Sequence, residues 1–101
     1  MQNKNISSNP VYLKTFTLRD IKDVSEIKND IEKNMILIIR ITPLAQKDVE
    51  DLRLVVEDLY KSVNSLGGDI SRLGEERIII TPSNVKIWHK DVDGLYPLNE
   101  S

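Results

Sequence analysis

Two stretches of this chain are apolar almost without interruption: Met35-Ile36-Leu37-Ile38-Ile39-Arg40-Ile41 and Ile78-Ile79-Ile80. Both are rich in β-branched residues and too short for a buried helix of ordinary length, so they read as strands. A strand covered on one face alternates apolar with polar residues, whereas a continuous run offers apolar side chains to both faces. Looser alternation around Val11, Leu13 and Phe16 predicts a first strand over residues 11–17, and Val85-Lys86-Ile87-Trp88 predicts a last one.

Helical periodicity fills the intervals. Asp23-Val24-Ser25-Glu26 has the spacing of a capping box, after which Val24, Ile27 and Ile31 share one face of a helix ending near residue 33. Val49, Leu52, Val55, Val56, Leu59, Val63 and Leu66 recur every three or four residues and predict one long helix over residues 45–66. Leu54 falls on its other side among Lys47, Asp51, Asp58 and Lys61, as a lone exposed leucine or as the mark of a contact. Gly67-Gly68 suits a helix stop, and Gly74 beside Glu75 suits a tight turn, so residues 69–73 and 77–81 pair as a hairpin.

The order β-α-β-α-β-β-β describes an α/β two-layer sandwich, a mixed sheet of about five strands with two helices on one face. Two right-handed crossovers advancing in one direction place both helices together. The second set of isoleucines then faces water unless another subunit covers it, and a back-to-back homodimer answers that need. One helix on each face would need no partner. Residues 11–89 make the folded core in this reading, between an N-terminal arm, residues 1–10, and a C-terminal tail, residues 90–101.

Composition narrows the chemistry. The chain has 101 residues, no cysteine and a formal net charge of -2, which fits one small domain without disulfides or thiolate chemistry. Acids and bases are interspersed with no basic block, so nucleic acid is not expected as a partner. No apolar run reaches the roughly 20 residues that span a bilayer, and the polar start is no signal peptide, which implies a cytoplasmic location. His89 is the single histidine, without a carboxylate at ligand spacing, so no metal, cofactor or catalytic triad is expected. The acids of the long helix, spaced with Lys47, Arg53 and Lys61, read as a solvated, ion-paired face. Gly67-Gly68 follows a helix and precedes a strand, the reverse of a phosphate-cradling loop, and serves as a cap or as a close backbone contact between subunits. Arg72 is either a solubilising strand residue or the ion-pair partner of an acidic peptide lying along this edge. Ile78 and Ile80 are core by default, or, with Leu73 beside them, the wall of a peptide groove.

The string Gly67-Gly68-Asp69-Ile70, Arg72-Leu73-Gly74, Ile78-Ile79-Ile80-Thr81-Pro82-Ser83-Asn84-Val85, together with Tyr12-Leu13-Lys14, Leu18-Arg19-Asp20, Thr42-Pro43-Leu44 and Ile87-Trp88, resembles the SepF family of cell-division proteins, its archaeal branch above all. The resemblance covers residues 11–89. It implies a non-enzymatic adaptor, a homodimer that binds the C-terminal tail of the tubulin-like protein FtsZ and links division filaments to the inner face of the membrane at the division site. In bacterial members a basic hairpin residue and an apolar residue opening the next strand contact that tail, positions that fall here on Arg72 and Ile78. The family's glycine pair lies near subunit contacts, which gives Gly67 and Gly68 a second role, with Ile79 and Leu54 as further interface candidates. Family members usually begin with an amphipathic membrane-binding helix; residues 1–9 have no apolar face to insert, so membrane contact would come from a preceding segment or from another protein. The alternative is a small α/β regulatory module binding a metabolite at a dimer interface.

Overall fold

The structure, a computed structural model, describes residues 10–88; the arm, apart from Pro10, the tail and His89 lie outside the described residues. The chain order is β1 (Tyr12–Thr17), a 3-10 turn (Ile21–Asp23), α1 (Val24–Ile31), β2 (Met35–Arg40), α2 (Thr42–Lys47), α3 (Val49–Ser65), β3 (Asp69–Leu73) and β4 (Arg77–Thr81). The four strands form one sheet in the order β1-β2-β4-β3. β1 runs parallel to β2, while β4 is antiparallel to both β2 and β3. The two connections, β1 to β2 through α1 and β2 to β3 through α2 and α3, advance across the sheet in the same direction. Crossovers of one hand therefore keep the helices on one face, the two-layer α+β arrangement.

Register assigns every strand residue a face. Under the helices lie the rows Lys14–Leu37–Ile80–Ile70 and Phe16–Ile39–Ile78–Arg72; on the other face lie Leu13–Ile36 and Thr15–Ile38–Ile79–Ser71. Leu37, Ile39, Ile78 and Ile80 are fully buried against Ile27 and Ile31 of α1, Leu44 of α2 and Val55, Leu59 and Val63 of α3. Ile36, Ile38 and Ile79 are only half-buried, and Leu13 is 58% exposed. The continuous apolar runs thus serve one covered face and one uncovered one.

Three local details differ from the sequence reading, each for a hydrogen-bonding reason. The capping box sits one turn earlier, with Asp20 as the cap and Asp23 bonding back, so the Asp23-to-Glu26 spacing is not the box that forms. The long helix is two helices: Asp48 takes an extended conformation and its Oδ1 accepts from the backbone N–H of Glu50 at 3.0 Å and Asp51 at 3.1 Å, capping α3. Thr42-Pro43 opens α2, where proline at the first turn removes no needed donor. No fifth strand forms over residues 85–88, because the Ile87 N–H donates to the Asp69 side chain at 3.2 Å and not to a strand carbonyl.

The α3-to-β3 turn is a Schellman cap. Gly68 N–H donates to the Val63 carbonyl at 3.0 Å and Gly67 N–H to that of Asn64 at 3.1 Å, with Gly67 at φ +78°. Gly68 has a separate reason to be glycine: a Cβ there would stand 2.3 Å from the Thr81 backbone carbonyl oxygen. On the far edge, Lys14 turns inward and its Nζ meets the buried Asp30 of α1 at 2.7 Å, a contact that ties helix to strand. An inward charge on an edge strand also discourages further strand pairing.

Two predictions follow from these contacts. Gly68→Ala forces backbone displacement, and an overpacking cost of about 2 kcal/mol corresponds to a loss on the order of 10 °C in melting temperature. Gly67→Ala meets only the milder penalty of a left-handed alanine, about 1 kcal/mol, so calorimetry should rank Gly68→Ala as the more damaging. The second concerns acid. Lys47 Nζ lies 2.6 Å from Asp20 and, with the Lys22 backbone N–H, holds the Asp20 carboxyl below its usual range. A carboxyl depressed in the folded state stabilises above its unfolded pKa, about 3.9, and loses that contribution as pH falls through its folded value. Lys47→Met should therefore lie below the parent in urea midpoint at neutral pH, with the gap closing as acid protonates the depressed Asp20 carboxyl, below the ordinary carboxylate range.

Candidate functional site

α3 carries two apolar series, displaced by one residue. Val55, Leu59 and Val63 face the sheet and are buried. Val49, Leu52, Val56 and Tyr60 advance by the same three- and four-residue steps along the flank, and Val49 and Tyr60 remain exposed. Opposite that flank stands the β3-β4 hairpin, held in place because the Ile41 N–H donates to the Glu76 carbonyl at 2.8 Å.

Between flank and hairpin lies a cavity of about 610 Å³. Its apolar lining is Ile41, Val49, Leu52, Val56, Ile70 and Ile78; its polar rim is Glu50, Arg53 and Glu57 on α3 and Arg72 on β3, with Ser71, whose register puts it on the opposite face, touching the rim at the sheet edge. That volume falls in the range of ligand clefts, whereas a second depression of about 190 Å³ beside Asn34 and Ser83 is too small.

The two arginines of the rim differ in their company. Arg53 Nε donates to Glu50 Oε2 at 2.8 Å and its Nη1 to Glu57 Oε2 at 2.7 Å, pairs spaced i,i+3 and i,i+4 on one helix. The hydrogen bond to Glu50, the charge of both carboxylates and the contact with Glu57 hold the Arg53 proton more tightly than usual. Arg72, by contrast, makes one contact, from Nη2 to the Glu75 backbone carbonyl at 3.3 Å, and has no carboxylate partner among the described residues. The groove therefore presents an apolar floor and, among the described residues, one cation without a carboxylate beside it. Such a surface can desolvate aliphatic or aromatic side chains and pair with an acid; it holds no nucleophile beside a base.

Of the peptide-binding candidates, Arg72 and Ile78 are directly opposed in the ladder and both line this groove. Ile80, 1% exposed, lies beneath the helices as core. Leu73, 45% exposed, projects from the other face of the sheet, the face of Ser71 and Asp69. Among the interface candidates, Ile79 sits at the centre of the uncovered face, Leu54 is exposed on α3 outside the groove, and Gly67 and Gly68 form the cap already described. Val49, Leu52, Val56, Tyr60 and Ile70 line the groove without having been marked as site residues in the sequence. For the four on α3 the signal is an apolar arc wider than one core-facing stripe requires; Ile70 lies on β3.

The comparisons with known proteins agree in kind. The family model described as "Cell division protein SepF" matches residues 13–87. Among solved structures, a SepF-like protein from Archaeoglobus fulgidus is 31% identical, with a TM-score of 0.71, over 76% of this chain and 92% of its own. A SepF-like protein from Pyrococcus furiosus is 24% identical, with a TM-score of 0.72, over 82% of this chain and all of its own. The cell division protein SepF from Methanobrevibacter smithii, solved in complex with FtsZ-CTD, shares the fold at 18% identity and a TM-score of 0.69, over 78% of this chain and 99% of its own. A comparison with curated protein sequences finds no match.

Proposed function

The chain belongs to the SepF family of cell-division proteins, and from that premise we propose that it is a non-enzymatic adaptor whose groove between α3 and the β3-β4 hairpin receives the C-terminal tail of FtsZ. The observation that carries this reading is the pairing of Arg72 with Ile78 on one wall of an apolar groove. A short peptide gains affinity there from burying apolar side chains against Val49, Val56 and Ile70, over a floor that Ile78 supports from beneath, and orientation from a carboxylate on Arg72. The relative from Methanobrevibacter smithii, solved in complex with FtsZ-CTD, supports the class of partner.

The uncovered sheet face supports a homodimer. Ile36, Ile38 and Ile79 form a contiguous half-buried patch that a second copy of the same face would remove from water. Two grooves on one dimer would engage two tails of one filament, and the second contact then benefits from a high effective concentration. We place the protein at the division site, with membrane attachment outside residues 10–88, where no helix is long and apolar enough to cross a bilayer. The size of the groove also suits a small metabolite, and a thermal-shift response to small molecules without any response to the tail would favour that second reading.

Titration of an FtsZ C-terminal peptide tests the groove. Arg72→Glu should weaken binding at least tenfold, about 1.4 kcal/mol, while the dimer persists; unchanged affinity would remove Arg72 from the site. Ile79→Glu tests the other face. Light scattering should give a mass near 11.6 kDa for this variant and twice that for the parent, and equal masses would refute the sheet-to-sheet dimer.

A further inference from the structure

We propose that Arg53 sets the charge preference of the groove without contacting the ligand's acid: by holding both Glu50 and Glu57 it leaves Arg72 as the rim cation with no carboxylate partner among the described residues, so that the groove selects a segment with a carboxylate at the hairpin end. The inference rests on the reading of the groove as a peptide site. It concerns which peptides that site accepts and which residue decides.

Glu57 and Arg72 line opposite walls of one cavity, from α3 and from β3. A carboxylate and a guanidinium facing each other across a groove would close it with an ion pair, and an incoming acid would then have to displace Glu57. Among the described residues they do not pair; Glu57 Oε2 instead accepts from Arg53 Nη1 at 2.7 Å, one helical turn away on its own element. Arg53 completes its fork with Glu50 through Nε and Nη2, which fixes the planar guanidinium along the helix surface. The α3 rim thereby sums to one net negative charge with its donors spent internally, and the β3 rim to one positive charge whose only side-chain hydrogen bond among the described residues is to a backbone carbonyl. A ligand acid is repelled from the helix side and attracted to the hairpin side, which fixes both its position and its orientation. A lysine or arginine at the same ligand position would face Arg72 and be rejected.

Arg53 and Arg72 are thus not equivalent cations, although both stand on the same rim. Removing Arg72 deletes the ligand's partner. Removing Arg53 releases Glu57, which then competes for Arg72. The second effect is indirect and can be reversed by removing the competitor, a signature that direct contact between Arg53 and the ligand would not show.

The test is a mutant cycle on the full chain, with a fluorescein-labelled FtsZ C-terminal peptide as probe and anisotropy as readout. Arg53→Ala should weaken binding three- to tenfold, and Arg53→Ala with Glu57→Gln should return to within twofold of the parent. Circular dichroism melts of each variant confirm that the helix is retained. If Arg53→Ala binds as the parent does, or if Glu57→Gln gives no recovery in that background, the inference is overturned while the groove itself stands. A parent that does not bind the probe, or that binds it regardless of Arg72→Glu, overturns the groove reading and this inference together.

Discussion

The arrangement of this protein depends on the one-sidedness of its crossovers. β1 connects to β2 and β2 to β3 by steps in the same direction across the sheet, so α1, α2 and α3 lie on one layer. The row of Ile38 and Ile79 is left on the other face, where no helix or strand among the described residues covers it. On the helix side, Arg72 at the β3 edge stands over the buried Ile78 and across a groove from the flank of α3. A face suited to self-association and a groove suited to a peptide are two consequences of one topological fact.

Much of this was legible in the sequence because the strongest signals are local. The uninterrupted isoleucine runs marked two-faced strands, and the Gly67-Gly68 pair marked the end of α3, where the Schellman bonds and the close approach of Gly68 to the Thr81 carbonyl now account for both residues within one protomer. The misread details were decided by side chains that compete for backbone donors. Asp20, Asp48 and Asp69 each take N–H groups that a pattern of apolar residues assigns elsewhere, which moved a capping box, split a helix and dissolved a strand. Periodicity cannot see such competition, since an aspartate at a boundary and an aspartate on a helix surface look alike in sequence.

The groove was half visible for a similar reason. Arg72 and Ile78 stand opposite one another in a hairpin whose register follows from its turn, so a pattern that fixes the turn brings them together. Their counterparts on α3 lie at residues 49, 52, 56 and 60, and they become a wall only once Val55, Leu59 and Val63 have taken the sheet-facing side. Whether an apolar helix position is core or wall depends on how far the sheet beneath it extends. That is a property of strand order, which the helix itself does not encode.

Charge makes the same point about surfaces. Glu50, Arg53 and Glu57 have the spacing of an ordinary solvated helix face, and by exposure and geometry they are one. Such pairs add little to stability in water. Their consequence here lies in what they prevent, because a carboxylate engaged along its own helix is unavailable to a guanidinium across the groove. The selectivity of a binding site can then rest on an ion pair that stabilises the fold hardly at all and never touches the acid of the ligand it helps to select.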